Sequence, residues 1–541
     1  MAYFAMHAYD ADVWVRQFKG LLQADESLNT DPAYAAEAVN VETPNGVLQP
    51  HAAYEVLTGE FTDRVETLAQ FTRRWYAGQG SKDWLICAAG GKLYQRQVGD
   101  TYGWEQIPFP AGVTEFELNT WSWVNYEVNE INGTPLNNTR DVMLMSNASD
   151  GMIMVVPPED RVTWSDGLLM TWENDNDDTW ADELKTIWVT YPVDTRADPT
   201  DENEPQKKFG VITRYAERIW GGAVENEPDT LYYSRPYSPT DWSAPGAGEQ
   251  PEDGAGEVQQ PSWDGDSFSA LQQFGSQLIA FKKHRVWRVY GTDPGSYAFS
   301  EQYGGGAPYP NTIAVDVERI LMAEDDGPSA YDGMSVSPFS RAQAKKLWDR
   351  ANLKAMDQMC AALFKGRYYL SFPIDGSEVN NALLVFDQNE NTVLFYDDVT
   401  IESLLATSDY LYATSSSLPG KVLKMNYDSW LCGKSSGSHT RWVSAWMDFG
   451  YKRIQKGGFD LYILPEVQNE AVTFRVSIQT EKKTKSKYYT ALPTVKEHKP
   501  KRMHFGGNGR RFRIIIETDE GNKAPWRLVG GLQLVVETDP D

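Results

Sequence analysis

Seven times along the chain, a short run of β-branched or aromatic residues meets a turn and is answered by a second such run. The pairs are Trp84–Ala88 with Lys92–Gln95, Asp141–Met145 with Met152–Val155, and Arg218–Trp220 with Asp229–Ser234. Then come Gln277–Phe281 with Val286–Tyr290, Arg319–Met322 with Ser329–Tyr331, Arg367–Phe372 with Ala382–Phe386, and Tyr410–Ala413 with Val422–Lys424. Apolar runs joined by turn-forming residues such as Gly90-Gly91, Asp375-Gly376 and Pro419-Gly420 are hairpin signatures. A hairpin recurring through 51–435 implies an architecture that repeats. Two segments break the rhythm, an acidic insertion at 163–208 and a Gly/Pro/Glu-rich loop at 243–263. Setting them aside leaves about 320 residues, or about seven four-stranded propeller blades at about 40–45 residues each. A single barrel or sandwich is the competing all-β reading, but the hairpins run on too long for one. The repeating hairpins lack the Trp-Asp dipeptide of WD40 blades, and Gly-Gly doublets do not recur at a kelch interval.

The fold class read from this pattern is therefore all-β, a β-propeller of about seven blades with flanking segments. Nineteen Trp and 28 Tyr beside 43 Gly and 29 Pro suit short strands and tight turns. Residues 1–50 read as an irregular N-terminal arm containing the turn Thr43-Pro44-Asn45-Gly46. Residues 438–541 hold five strand-like, mostly alternating segments and predict a C-terminal antiparallel β-sandwich. One helix is expected over 340–355, with Ala344, Leu347, Trp348, Ala351 and Ala355 on one face and Ser340 as its cap.

No apolar run is long enough to span a membrane, and the start MAYFAMHAYDADVW lacks the basic and apolar regions of a signal peptide. Cys87, Cys360 and Cys432 are too far apart for a disulfide framework or a zinc cluster. Net charge is −26, unevenly spread: residues 441–541 carry 18 Lys and Arg against 12 Asp and Glu, so the remaining chain stands at −32. A body this acidic repels phosphates and argues against adhesive nucleic-acid binding there.

The sequence has no HExxH, P-loop or dinucleotide fingerprint. The six histidines never fall at i, i+4 spacing, and His498 and His504 share a basic loop. Ser165-Asp-Gly-Leu-Leu-Met-Thr-Trp172 has the flavour of a sialidase turn box with the wrong spacing, and Glu173–Asp178 lacks the glycine and terminal glutamate of a calcium loop. No catalytic, cofactor or metal residue is expected. The one charge cluster against the grain is Lys482, Lys483, Lys485, Lys487, Lys499, Lys501, Arg502, Arg510 and Arg511. It reads as a dock for an acidic partner such as the body of a neighbouring subunit, with DNA as the second reading and solvated hairpin loops as the bland one.

The segments Arg214–Trp220, Asp229–Trp242, Asp264–Leu271, Leu278–Phe281 and Val286–Gly291 resemble the propeller hub proteins of bacteriophage tails, including the nozzle or packaged-DNA stabilisation proteins of short-tailed phages. Phe18-Lys-Gly20 with Ala38–Gly46 resembles the arm that opens such chains. Ala445–Gly450 with Lys452–Leu461 resembles the start of their closing β-domain. The resemblance implies a structural virion protein made in the host cytoplasm, not an enzyme. It implies a homo-oligomeric ring of six copies below the portal and adaptor, whose lumen retains and conducts DNA without specific binding. The acidic insertion and a compact C-terminus depart from that pattern. Two other readings stand beside it: a propeller-fold glycan-binding or glycan-cleaving protein, and a monomeric scaffold that binds another protein through one face.

Overall fold

The computed structural model describes residues 10–23, 31–74, 81–100, 102–131, 133–158, 188–260, 265–448, 455–493 and 500–539. Seven four-stranded antiparallel sheets follow one another along the chain. Blades 1 to 6 run from Val65 to Gln106, Ser122 to Pro192, Val211 to Gln259, Phe268 to Gln302, Ala314 to Pro338 and Cys360 to Tyr396. Blade 7 takes three strands from Ile401–Met425 and its outermost one, Tyr54–Val56, from near the N-terminus. Each hairpin read from the sequence is the middle pair of strands of one blade. Gly90 and Gly91 show the turn chemistry: both have positive φ (56° and 67°), as the tight hairpin between Lys82–Ala89 and Lys92–Gln97 requires.

The sheets close into a disc, and the apolar cores show it. There are seven such cores among the described residues, one for each junction between consecutive blades. Blades 1 and 2 share Phe71, Ile86, Met143 and Val155; blades 4 and 5 share Phe281, Val286, Met322 and Tyr331. The ring closes where Leu68 and Leu85 of blade 1 meet Leu405 and Val422 of blade 7. Side chains also bridge neighbouring blades: Asn125 donates to the Gln70 carbonyl (3.0 Å), and Asn380 to that of Ile401 (2.9 Å).

The C-terminal module is a two-sheet sandwich that borrows from the other end of the chain. Asp10–Val15 pairs with Trp526–Asp539 at one edge of a four-stranded sheet. Ala35–Val39 pairs with Thr440–Ser444 at one edge of a five-stranded sheet. The first fifty residues, expected to be an irregular arm, thus supply two sandwich strands. Their partners lie more than 400 residues away, beyond the reach of any local pattern. Between these strands the chain lies on the outermost strand of blade 6, Thr392–Tyr396. Leu21 N–H donates to the Val393 carbonyl (2.7 Å) and Asn40 N–H to that of Phe395 (2.9 Å). Gly20 permits this approach, because a Cβ there would sit 2.3 Å from the Val393 carbonyl oxygen. Phe18 packs edge-on to Trp442, and one continuous core runs from the blade 5–6 junction through these residues into the sandwich.

Three further expectations need correction. The loop at 243–263 contains Gly256–Gln259, the outer strand of blade 3, and the insertion at 163–208 contains Val189–Pro192, the outer strand of blade 2. Residues 159–187, including Ser165–Trp172 and Glu173–Asp178, lie outside the described residues. The helix over 340–355 shrinks to one turn, Lys345–Trp348, and a 3-10 segment, Leu353–Gln358. Ala344, Leu347 and Trp348 are buried as expected, but Ser340 has φ of 49° and does not cap. The Arg350 carbonyl accepts from Asp375 N–H, and Ala351 bridges to Ile374, so tertiary partners take the backbone a longer helix would use.

Candidate functional site

The basic residues singled out from the sequence converge on one end of the sandwich. Thr484–Ala491 is the last strand of the five-stranded sheet, and Lys501–Gly509 is the last strand of the four-stranded one. The two edges lie side by side: Lys487 Nζ sits 5.9 Å from the Phe505 ring centre and Lys501 Nζ 5.1 Å from that of Tyr489. Lys485 and Lys487 project from the exposed strand, and Lys482 and Lys483 occupy the turn before it. The neighbouring turn is tied in through Glu481, whose carboxylate accepts the N–H groups of Arg510 (2.7 Å) and Arg511 (3.0 Å). Those two bonds hold the Glu481 carboxyl below its ordinary range even though burial opposes them.

Arg502 is already committed. It donates to Asp460 (2.7 Å), which also meets His504 Nδ1 (3.0 Å), and the Arg502 bond chiefly holds the Asp460 carboxyl low. Lys499 and His498 lie outside the described residues. The bland reading of solvated loops is thus too simple: Lys485 and Lys487 lie on an edge strand, where charge blocks indiscriminate pairing. Glu481 and Asp460 went unremarked in the sequence, because a single carboxylate within a basic stretch gives no local signal.

The acidic counterpart is equally localised. Between residues 194 and 259, at blades 2 and 3, stand fourteen carboxylates against six Lys and Arg. Two loops carry many of them. One holds Asp198, Asp201, Glu202 and Glu204, the other Glu249, Glu252 and Asp253; they meet where Ala244 N–H donates to the Ala197 carbonyl (2.9 Å). The first strands of the blades, which meet around the axis, carry only Glu66, Glu127, Glu130 and Glu402 against Arg73 and Arg214. Glu402 pairs with Arg64 (3.0 Å) and Glu127 with Arg74 (2.7 Å). Among the described residues, little of the acid excess therefore lies on the strands around the axis.

A third cluster is buried where the N-terminal segment crosses blades 6 and 7. His51 stacks on Tyr396 at 4.4 Å, its Nε2 meets both Asp398 oxygens (2.9 and 2.8 Å), and its Nδ1 faces the Ala52 carbonyl (3.1 Å). Both ring nitrogens face acceptors, so the imidazolium form satisfies the site. Burial alone would lower the His51 pKa, but the Asp398 carboxylate outweighs it and raises it. Tyr396 donates to Glu42 (2.9 Å), and Arg367 donates to Asp387 (2.7 Å). Burial pushes the Glu42 carboxyl up despite nearby Arg367. The cluster joins the N-terminal segment to blade 6 and acts as a latch between segments.

Burial raises the Cys87 and Cys360 thiols above the ordinary thiol range. Among the described residues no cluster of His, Cys, Asp and Glu suits a metal ion. No helix there is long and apolar enough to cross a membrane. A surface cleft of about 420 Å³ on blade 1 is lined by Trp84, Tyr102, Trp188, Arg96, Asp100 and Glu105, among others.

Seven radial sheets with seven inter-blade cores define the class, a seven-bladed β-propeller fused to a β-sandwich. No family model matches the chain, and no curated protein matches it. Among solved structures it is similar to BBS1N in complex with ARL6DN, with 8% identity, a TM-score of 0.37, and 70% of this chain and 98% of that one covered. It is similar to the Neurospora crassa Pan2 WD40 domain at 9% identity and a TM-score of 0.29, covering 68% and 90%. An exo-beta-1,3-galactanase from Phanerochaete chrysosporium matches at 11% identity and a TM-score of 0.21, covering 64% and 99%.

Proposed function

We propose that this chain is a structural ring subunit of a virion tail, a hub or nozzle protein that assembles below the portal and adaptor and conducts the DNA genome. One observation carries the reading: a rigid block bears a basic edge on an otherwise acidic body. Two different, complementary surfaces on one subunit favour heterologous contacts, and these close into rings when the rotation permits. The block is rigid because the N-terminus is woven into both the sandwich and blade 7. The sequence resemblance to tail hub proteins implies the place in the particle.

The test is native mass spectrometry and electron microscopy of the purified chain, alone and with portal and adaptor proteins. Closed rings, with six copies expected, support the reading. A chain that stays monomeric at every concentration and with those partners sinks it.

A second reading, glycan binding or cleavage, draws on the blade 1 cleft, where aromatic rings and carboxylates stand together. Sugar release from a surface polysaccharide by the isolated chain, abolished in Glu105→Gln, would favour it over the first.

A further inference from the structure

The acidic and basic surfaces lie at opposite ends of the molecule, as the topology of closure shows. In a ring of seven blades, the position diametrically opposite blade 6 falls between blades 2 and 3. Blade 6 is where the sandwich attaches, through Leu21 and Asn40 on the outer strand Thr392–Tyr396. From there the five-stranded sheet runs in a fixed order: Ala35–Val39, which packs against that strand, then Thr440–Ser444, Phe512–Thr518, Val472–Thr480 and Thr484–Ala491. Four inter-strand steps put the lysine-bearing edge about 19 Å beyond the strand that touches the propeller. The basic edge is the outer limit of the sandwich, and the carboxylate loops of blades 2 and 3 lie across the disc.

The two ends match in chemistry. Residues 482–513 hold eleven Lys and Arg against the single carboxylate of Glu497, facing the fourteen-to-six acidic excess of 194–259. Among the described residues the edge strand Thr484–Ala491 pairs with Val472–Thr480 and stands last in its sheet. Tyr488, 66% exposed, and Leu492, 48% exposed, add apolar contact beside the lysines.

We infer that the lysine-bearing edge of the sandwich binds the acidic loops of blades 2 and 3 of a second copy of this chain, head to tail. This names the interface of the ring proposed above and rests on that reading. The contact is heterologous, so it leaves one free acidic end and one free basic end until a ring closes. The charges on both sides are exposed, which makes the association steeply salt-dependent.

The experiment uses the full-length chain and a charge swap. One variant carries Lys482→Glu, Lys483→Glu, Lys485→Glu and Lys487→Glu. The other carries Asp198→Lys, Asp201→Lys, Glu202→Lys and Glu252→Lys. All eight positions are on the surface, so circular dichroism and melting should match the parent chain. Sedimentation at low and high salt should show each variant self-associating at least about a hundredfold more weakly than the parent. Mixing the two variants should restore assembly with the copies alternating, because one then offers two acidic ends and the other two basic ends. The chain carrying all eight changes should assemble by itself. Parent rings that the reversals leave unchanged would overturn this interface while the ring reading stands. A parent chain that never associates would remove the ring reading and the interface with it. Reversed variants that assemble normally but lose retention on a short DNA duplex would also overturn it and assign the edge to nucleic acid.

Discussion

At the scale of single residues, the most consequential group is His51, which ties the N-terminal segment to the strand end of blade 6. The groups facing it come from several elements: Asp398 and Tyr396 after blade 6, Glu42 of its own segment, and Ser438, which donates to Asp398. Because the fold raises the His51 pKa, the folded state holds its proton more tightly than the unfolded chain. That stabilisation is complete below the ordinary imidazole range and is lost as pH rises through the elevated folded value. Asp398, held low mainly by His51 against the pull of burial, loses its share only as pH falls through its depressed value. Glu42, pushed up by burial, likewise stabilises the fold in its protonated form, and that share is lost as pH rises through its own raised value. Urea unfolding of the parent chain should therefore show stability falling from about pH 6.5 upward. His51→Gln should cost about 3–5 kcal/mol at neutral pH, because it leaves Asp398 buried without its cation, and should flatten that decline. Equal slopes in the two chains would contradict the buried imidazolium.

Individual elements show why some of the architecture could be read in advance and some could not. The middle strands of the blades are covered on both faces, so runs such as Arg367–Phe372 and Ala382–Asp387 are buried throughout and stand out as apolar. Inner and outer strands such as Ala314–Val315, Glu105–Gln106 and Tyr54–Val56 are short or exposed, and nothing local marks them. The basic edge was legible as a list of residues because its turns fall close together in sequence. Its place opposite the acidic loops was not, since that depends on ring closure and on two strands from the N-terminus. The closing strand of blade 7 has a test at its own scale. Leu57 N–H donates to the Val422 carbonyl (2.9 Å), and Leu57→Pro removes that donor. The expected cost is about 1–3 kcal/mol, with hydrogen-exchange protection falling first along Leu418–Met425. Unchanged protection there would mean the N-terminal strand does not hold the blade shut.

For the molecule as a whole, the question is whether propeller and sandwich behave as two domains or one. Architecture alone suggests two, because each has its own sheets. Their cores argue otherwise: the apolar cluster that fills the blade 5–6 junction, with Tyr368, Phe372 and Phe386, continues without a break through Phe18 and Trp442 to Phe474 and Trp526 in the sandwich. The chain path reinforces this, since removing residues 10–39 would strip a strand from each sandwich sheet. Independent unfolding would require breaking that shared core while leaving both halves stable. Calorimetry should accordingly show a single transition whose van't Hoff and calorimetric enthalpies agree. The variant Trp442→Ala empties a fully buried site in the sandwich and should cost about 3–5 kcal/mol. In a single cooperative unit that loss lowers the midpoint for tryptophans in the propeller, such as Trp220, as much as for Trp526. Two transitions, with only the sandwich signal shifted, would show that the shared core does not couple the halves. A ring built through contacts at both ends could then flex at every subunit.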